Sequence, residues 1–318
     1  ACAMRMLARD GLCKTFDARA DGYVIGEGCG VVVLERLSAA RDAGRQPLSV
    51  IRGSAVNQDG ASNGLTAPNG AAQAAVIRTA LDRAGLGPAD IDYVEAHGSG
   101  TMLGDTIELT ALNQVFGESR RSGAAAPLLV GAVKTNVGHL IGASGMAGLI
   151  KTVLALRHGR VPANLHLETV NPQVAEALKS VALPESLTDW PRAGDVRRAG
   201  VSSFGWSGTN AHVILESPPE DEPAEPSAER PQALLLAART GEALEAQARR
   251  LAEHLTKHSE LDLADVAYTT QRGRSALPLR AAVSARSMEE ARRGLIELAE
   301  GRGETRAART EPPAVGFL

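Results

Sequence analysis

A chain of 318 residues with 44% hydrophobic residues is long enough to bury one large or two modest cores, and a net charge of −3 gives no electrostatic reason to expect a nucleic acid or an anionic membrane as partner. With only 3% aromatic residues, the core must be built mainly from Ala, Val and Leu. The three cysteines (Cys2, Cys13, Cys29) are odd in number and lack metal-ligand spacing, no apolar run reaches the ~18 residues of a membrane span, and the N-terminus has no signal-peptide core, so a reducing, cytoplasmic setting is expected.

In chain order, Gly30–Leu34 is a continuous apolar run that reads as a strand buried on both faces. Leu48–Val56 is a second strand. Gln73–Ala84 reads as a helix closed by Gly85, Ile91–Ala96 as a strand, Thr106–Phe116 as a helix and Leu128–Val133 as a strand. Met146, Leu149, Ile150, Val153 and Leu154 make one apolar stripe on the next helix, and the small residues Gly142–Gly145 at its start allow a close backbone approach. After a Pro-punctuated stretch, Ala199–Phe204 and Ala211–Glu216 read as strands around the Gly205–Asn210 turn. Strands alternating with helices predict an α/β fold in layers. Ser217–Pro231 holds five prolines and five acidic residues and reads as a solvated linker. Beyond it, strand-like Ala233–Ala238, a helix with Leu244, Ala248, Leu251 and Leu255 on one face, Leu263–Thr270, strand-like Leu279–Val283 and helix Met288–Ala299 form a small α+β unit.

Two stretches carry the chemistry. Val94-Glu95-Ala96-His97-Gly98-Ser99-Gly100-Thr101 and Gly131-Ala132-Val133-Lys134-Thr135-Asn136-Val137-Gly138-His139 each deliver a histidine from a strand-like run into a Gly-rich turn before a helix. Two imidazoles, a lysine and small hydroxyl residues are suited to stabilising negative charge on a carbonyl oxygen. Asp105-x-x-Glu108 reads as a capping box at a helix start. His212 reads as a core histidine, and His254 with His258 as a solvated i, i+4 pair lacking a third metal ligand. Gly98-Ser99-Gly100 with Gly104 mimics a dinucleotide fingerprint, but its spacing is one residue too long and no acidic residue ends the following strand. A Gly-x-Ser-x-Gly nucleophile elbow is lacking as well.

From about Met6 to Glu216 the chain resembles the β-ketoacyl synthases, specifically the ketosynthase domain of modular type I polyketide synthases. The runs that carry this are Cys13-Lys14-Thr15-Phe16-Asp17, Ala20-Asp21-Gly22-Tyr23, Gly26-Glu27-Gly28-Cys29-Gly30, Val56-Asn57-Gln58-Asp59-Gly60, Asn63-Gly64-Leu65-Thr66-Ala67-Pro68-Asn69, the two histidine stretches, and Ser202-Ser203-Phe204-Gly205-Trp206-Ser207-Gly208-Thr209-Asn210-Ala211-His212. The resemblance implies a thiolase-like fold, of which this chain holds the C-terminal half as α/β/α layers, followed by a small α+β linker domain. It implies six segments: residues 1–45 ending the N-terminal ketosynthase half, 46–160 its C-terminal half, 161–216 a C-terminal extension, 217–231 the linker, 232–311 a ketosynthase-to-acyltransferase linker domain and 312–318 the start of an acyltransferase.

The resemblance further implies a decarboxylative Claisen condensation between an acyl thioester and a malonyl-type extender on an acyl carrier protein. His97 and His139 would stabilise the extender's enolate, with Lys134 orienting them, paired with Glu108. Ser99 and Thr101 would bind the phosphopantetheine arm, the substrate carrier, and no directly bound cofactor or metal is implied. The Trp206 N–H, with Gly205, would form half of an oxyanion hole, and the Trp206 side chain would stand as a gate, bulkier than the residue usual there. Cys2, Cys13 and Cys29 lack the family's Ala-Cys-Ser-Ser context and read as inert small hydrophobes. The chain is therefore expected to be a piece cut within one domain at each end, its nucleophilic Cys lying upstream, inactive and poorly soluble alone. With that position unseen, two alternatives stay open: a loading-module ketosynthase with Gln at the elbow, which only decarboxylates, or a non-catalytic fragment that binds pantetheine or acts as a scaffold. Implied partners are acyl carrier protein, the acyltransferase domain of the same polypeptide and a second copy of the parent as a homodimer.

Overall fold

The computed structural model describes residues 6–62, 64, 67–123, 125–191, 196–219, 230–302 and the backbone of 305–307. Cys2, parts of the run Asn63–Asn69, most of the Pro-rich linker and residues 312–318, expected to start an acyltransferase, lie outside the described residues. Two units are distinguished, Ala1–Glu220 and Asp221–Leu318.

The first unit runs α1 (Leu37–Asp42), β1 (Val50–Gln58), α2 (Gly70–Ala84), β2 (Tyr93–Glu95), α3 (Met102–Arg121), β3 (Leu128–Gly131), α4 (Lys134–Val137), α5 (Ser144–His158), β4 (Arg160–Val161), β5 (Val181–Ala182), β6 (Thr188–Asp189), β7 (Arg198–Phe204) and β8 (Thr209–Glu216). Six strands form a mixed sheet in the order β1-β8-β7-β2-β3-β5. β2 pairs parallel with both β3 and β7, in register Tyr93 with Leu129 and Glu95 with Gly131, while β8 runs antiparallel between β7 and β1. The two-residue alternation of strands assigns the faces. Val94, Leu128 and Val130 join Ile77 of α2 and Leu109 and Leu112 of α3 in one core. Tyr93, Leu129, Ala199 and Val201 join Ala155 and Leu156 of α5 in the other. The sheet is thus the middle layer between helices. α2 begins where Asn69 Oδ1 accepts the N–H groups of Ala71 and Ala72, and ends at Gly85, whose φ of 66° needs a residue without Cβ.

One expectation fails for a physical reason and a second holds only in part. Gly30–Leu34 is no strand, and Val31, Val33 and Leu34 are 82%, 92% and 69% exposed. A β-branched run becomes a strand only where a neighbour accepts its backbone hydrogen bonds, and none among the described residues does. In α5 the buried positions are Ser144, Gly148, Thr152, Ala155 and Leu156, whereas Leu154 of the apolar stripe is exposed. Leu149, Val153 and Leu156 pack on the sheet core, while the closest backbone approach is made at the glycines: a methyl on Gly145 would lie 3.1 Å from Ser203 Oγ, and one on Gly148 3.1 Å from Glu95 Cγ. α3 is also longer than predicted.

Residues 6–28 lie against this layer without regular structure. Asp17 fixes them. Burial opposes its ionisation, but Arg19 and the N–H groups of Arg19, Glu168 and Thr169 outweigh burial and hold its carboxyl well below the usual range. A bridge from Asp21 to Thr101 and another from Ile25 to His139 bring this segment over the ends of β2 and β3.

The second unit pairs β9 (Gln232–Ala238), β10 (Leu279–Ala285) and β11 (Thr305–Ala307) in one antiparallel sheet, order β11-β10-β9, with α6 (Gly241–Lys257), α7 (Leu263–Arg272) and α8 (Met288–Ala299). Leu234, Leu236, Leu244, Leu255, Leu295 and Leu298 are in its core. Thr240, Asp262 and Ser287 cap the three helices through side-chain oxygens. His254 and His258 stack with centroids 4.3 Å apart, and no group of three or more potential metal ligands occurs among the described residues.

His212 in β8 is fully buried, with Nδ1 2.9 Å from Ser202 Oγ and no partner for Nε2 among the described residues, and burial lowers its pKa from 6.5 to about 3. The folded-state pKa is depressed, so its contribution to stability is present above pH 6.5 and declines as pH falls toward 3. Acidification from pH 7 to 5 should remove about 2 kcal/mol through this residue. Urea unfolding should show that His212→Asn loses less stability over this interval than the parent. An equal loss in both would contradict the assignment.

Candidate active site

The site is built where the parallel pair β2/β3 ends. Ala96 N–H still donates to the Gly131 carbonyl at 2.8 Å, and the chain then turns through Gly98 and Gly100, at φ 42° and 75°. A methyl at Gly98 would lie 2.7 Å from Ala132 Cβ, so the turn admits only glycine. Two carboxylates of α3 hold this turn. Glu108 Oε1 and Oε2 accept the His97 and Gly98 N–H groups, both at 2.8 Å. Asp105 Oδ1 accepts from Gly100 N–H at 3.1 Å and Oδ2 from Phe16 N–H at 2.8 Å. The capping-box expectation is thereby corrected: α3 starts at Met102 after Thr101 without a side-chain cap, and Asp105 and Glu108 reach outward to the histidine loop. Burial raises the pKa of both carboxyls, Asp105 to about 7, against the lowering effect of these N–H donors.

His139 leaves α4 through Gly138, at φ 75°. Its N–H donates to the Val24 carbonyl at 2.6 Å and its carbonyl accepts from Gly26 N–H at 3.0 Å, so residues 24–26 clamp its backbone. Its ring Nδ1 accepts from Ile141 N–H at 3.0 Å. Ile141 adopts φ 53°, a left-handed conformation that is strained for a β-branched residue and that accompanies this bond. Tyr23 meets the ring edge-on at 5.1 Å between centroids. On the other histidine, His97 Nδ1 accepts from Phe204 N–H at 3.2 Å, and the Phe204 ring lies 5.6 Å away.

The two imidazoles meet edge to face, 5.5 Å between centroids at 81°. Lys134, buried at the start of α4, donates to the His97 carbonyl. The expected Lys134–Glu108 pairing is corrected: among the described residues no carboxylate lies within ion-pair distance of Lys134, and Glu108 acts on it through space. Burial lowers the Lys134 pKa against the pull of Glu108 and Glu95. Burial, then the Lys134 charge, lowers both histidines, His139 to about 4 and His97 well below its ordinary value. Two neutral rings whose Nδ1 atoms accept backbone N–H groups carry their protons on Nε2.

Both rings line a cavity of about 690 Å³, together with Ser99, Thr101, Glu108, Gly205 and Trp206. Ser99 Oγ and Thr101 Oγ1 are 2.9 Å apart. Trp206 is 48% exposed, in the β7–β8 turn, which is closed by Gly205 N–H to the Thr209 carbonyl. No cysteine is among the described residues lining this cavity. Cys13 is buried, its Sγ accepts from Val24 N–H, and burial raises its pKa; Cys29 is exposed. Sequence reasoning missed the polar wall in which Asn210 Nδ2 donates to Asp59 Oδ1 at 2.7 Å and Asn57 Oδ1 at 3.2 Å. Its signal lay in two of the runs that carry the resemblance, Val56–Gly60 and Ser202–His212, which hold these three residues. No helix among the described residues is long and apolar enough to cross a membrane.

Residues 1–40 match the family described as beta-ketoacyl synthase, N-terminal domain, residues 48–168 its C-terminal domain, and residues 232–295 the family CurL-like, PKS C-terminal. The chain is 49% identical to erythronolide synthase EryA3 of Saccharopolyspora erythraea, covering 96% of this chain and 10% of that protein. It is 51% identical to polyketide synthase GfsA of Streptomyces halstedii, covering 97% of this chain and 4% of that protein. Among solved structures, an oxazolomycin ketosynthase domain of Streptomyces albus matches with TM-score 0.84 and 38% identity, covering 99% of this chain and 56% of that one. The ketosynthase of module 6 of the Bacillus subtilis bacillaene synthase matches with TM-score 0.82 and 36% identity, covering 96% and 54%. The chain thus spans about half of these ketosynthase structures and a tenth or less of the curated relatives. With its mixed central sheet between helices, the chain has the thiolase-like fold of the β-ketoacyl synthases and belongs to that family, as a ketosynthase region of the modular polyketide synthase type.

Proposed function

We propose that this region carries the decarboxylating half of a ketosynthase reaction, a decarboxylative Claisen condensation. The observation that carries the reading is the pair of neutral imidazoles in one cavity, each with Nδ1 held by a backbone N–H. A malonyl-type thioester placed there loses carbon dioxide by breaking the bond between its carboxylate carbon and its α-carbon. The electron pair moves onto the thioester oxygen, where Nε2–H groups of His97 and His139 donate to the developing enolate. A neutral imidazole suits this role because it donates without being acidic enough to protonate and quench the carbanion. The enolate carbon then attacks the carbonyl of an acyl chain held as a thioester on a cysteine, the new carbon–carbon bond forms, and the cysteine thiolate departs. Neither Cys13 nor Cys29 is proposed as that cysteine.

Lys134 holds the His97 carbonyl and its charge adds to burial in keeping both rings neutral, and Glu108 fixes the His97 backbone. Ser99 and Thr101 are proposed to bind the phosphopantetheine arm of an acyl carrier protein, the Trp206 N–H to face the acyl oxyanion, and its side chain to gate the cavity. Residues 232–311 are proposed to join the ketosynthase to an acyltransferase domain in a homodimeric parent working in the cytoplasm. The polyketide synthase names of the relatives support the carrier protein and acyltransferase as partners.

In the intact ketosynthase that carries this chain, His97→Ala and His139→Ala should each slow decarboxylation of a malonyl thioester by about a hundredfold or more, the scale for removing one oxyanion donor. Undiminished carbon dioxide release in both variants would overturn the reading. The acid limb set by the imidazoles should lie near pH 4, where His139 takes up a proton. Lys134→Met removes a positive neighbour, so it should move this limb upward in a pH–rate profile. A limb that stays in place or moves down would contradict the electrostatic role.

A further inference from the structure

A second set of buried charges lies on the α5 face of the sheet, two residues before His97. Glu95, 1% exposed, ends β2. Its Oε1 accepts from Val133 N–H at 2.5 Å, and its Oε2 accepts from Tyr93 OH at 2.5 Å and lies 2.8 Å from Lys151 Nζ. Val133 directly precedes Lys134. The β2/β3 ladder ends at the pair Glu95–Gly131, and past that point the Glu95 side chain takes over the pairing. It ties the strand that launches His97 to the turn that launches Lys134 and His139. Lys151 comes from α5, the helix that follows the His139 loop.

The surroundings are shaped for this contact. A methyl at Gly131 would collide with the Tyr93 hydroxyl and lie 3.1 Å from Lys151 Nζ, and one at Gly148 would lie 3.1 Å from Glu95 Cγ. Two glycines, on β3 and α5, therefore make room for one carboxylate and its ammonium partner. Lys151 matters because Glu95 also acts on Lys134 through space. An unneutralised carboxylate here would draw Lys134 away from the His97 carbonyl.

We infer that Glu95, neutralised by Lys151, is a positioning residue that sets the spacing of the two histidine loops. This rests on the role proposed above for His97 and His139. It acts through geometry, so its loss should lower kcat for decarboxylation rather than weaken substrate binding.

The test uses the intact ketosynthase, malonyl-thioester decarboxylation, and the variants Glu95→Gln, Glu95→Leu, Lys151→Met and the double Glu95→Gln/Lys151→Met, with His139→Ala as reference and a thermal melt for each. Glu95→Leu should lower kcat about a hundredfold, the scale for a misplacement of roughly 1 Å, with KM within about twofold. Glu95→Gln keeps an acceptor for Val133 N–H and should retain at least about ten times the kcat of the Leu variant. The double variant should have a higher kcat than Lys151→Met, because the unpaired charge is gone. Equal losses in the Gln and Leu variants, a KM that rises as kcat falls, or a double variant no faster than Lys151→Met would each overturn the inference. If Glu95→Leu does not fold, the Lys151→Met and double-variant comparison decides alone. A fully active His139→Ala would instead remove the reading beneath it, whereas an inactive His139→Ala beside a fully active Glu95→Leu would remove only this inference.

Discussion

Everything in this site depends on buried carboxylates that grip backbone N–H groups where a parallel strand pair ends. Asp105 and Glu108 hold Gly100, His97 and Gly98, and Glu95 holds Val133. A strand ladder spaces its own residues, but His97 and His139 lie past its last pair. Loops beyond a ladder are the places where chains are least constrained. Side-chain acceptors continue the pairing there, and a buried carboxylate is a strong acceptor for an amide donor. The cost is burial of charge, which shows in the upward shift of Asp105 and Glu108 and is offset in part by Lys134.

The same buried surroundings make the imidazoles useful. Burial and the Lys134 charge both disfavour imidazolium, and a backbone N–H at each Nδ1 selects the tautomer. The second of these donors comes from Ile141, held at positive φ, so local backbone strain accompanies the orientation of a functional ring. The sheet supplies rigidity, α3 supplies the carboxylates, and residues 24–26 clamp the His139 backbone.

Much of this was legible in the sequence, for identifiable reasons. Tyr93–Val94–Glu95 and Leu128–Gly131 became adjacent strands, and His97, Lys134 and His139 converged, because strand, glycine turn and helix follow each other within a few residues in both stretches. What could not be read depended on contacts distant in sequence. Asp105-x-x-Glu108 has the local form of a capping box, yet its partners include Phe16, 89 residues away. Gly30–Leu34 has strand composition but no neighbour to pair with among the described residues. The apolar stripe of α5 told part of the packing, since Leu149 and Val153 lie on the sheet core, but the close approach to β2 and β7 is made at Gly145 and Gly148, which periodicity of large residues does not reveal. Glu95 looked like one residue of a motif, and only the fold reveals that its carboxylate bridges two loops.

The role proposed for His97 and His139 requires both imidazoles to be neutral, with the proton on Nε2. The most direct measurement is ring-nitrogen NMR of the intact ketosynthase with 15N-labelled histidine, titrated between pH 5 and 8. His97 and His139 should both remain neutral Nε2–H tautomers across this range, with Nδ1 shifts typical of an unprotonated nitrogen accepting a hydrogen bond. An Nδ1–H tautomer, or an imidazolium at pH 7, for either residue would contradict it.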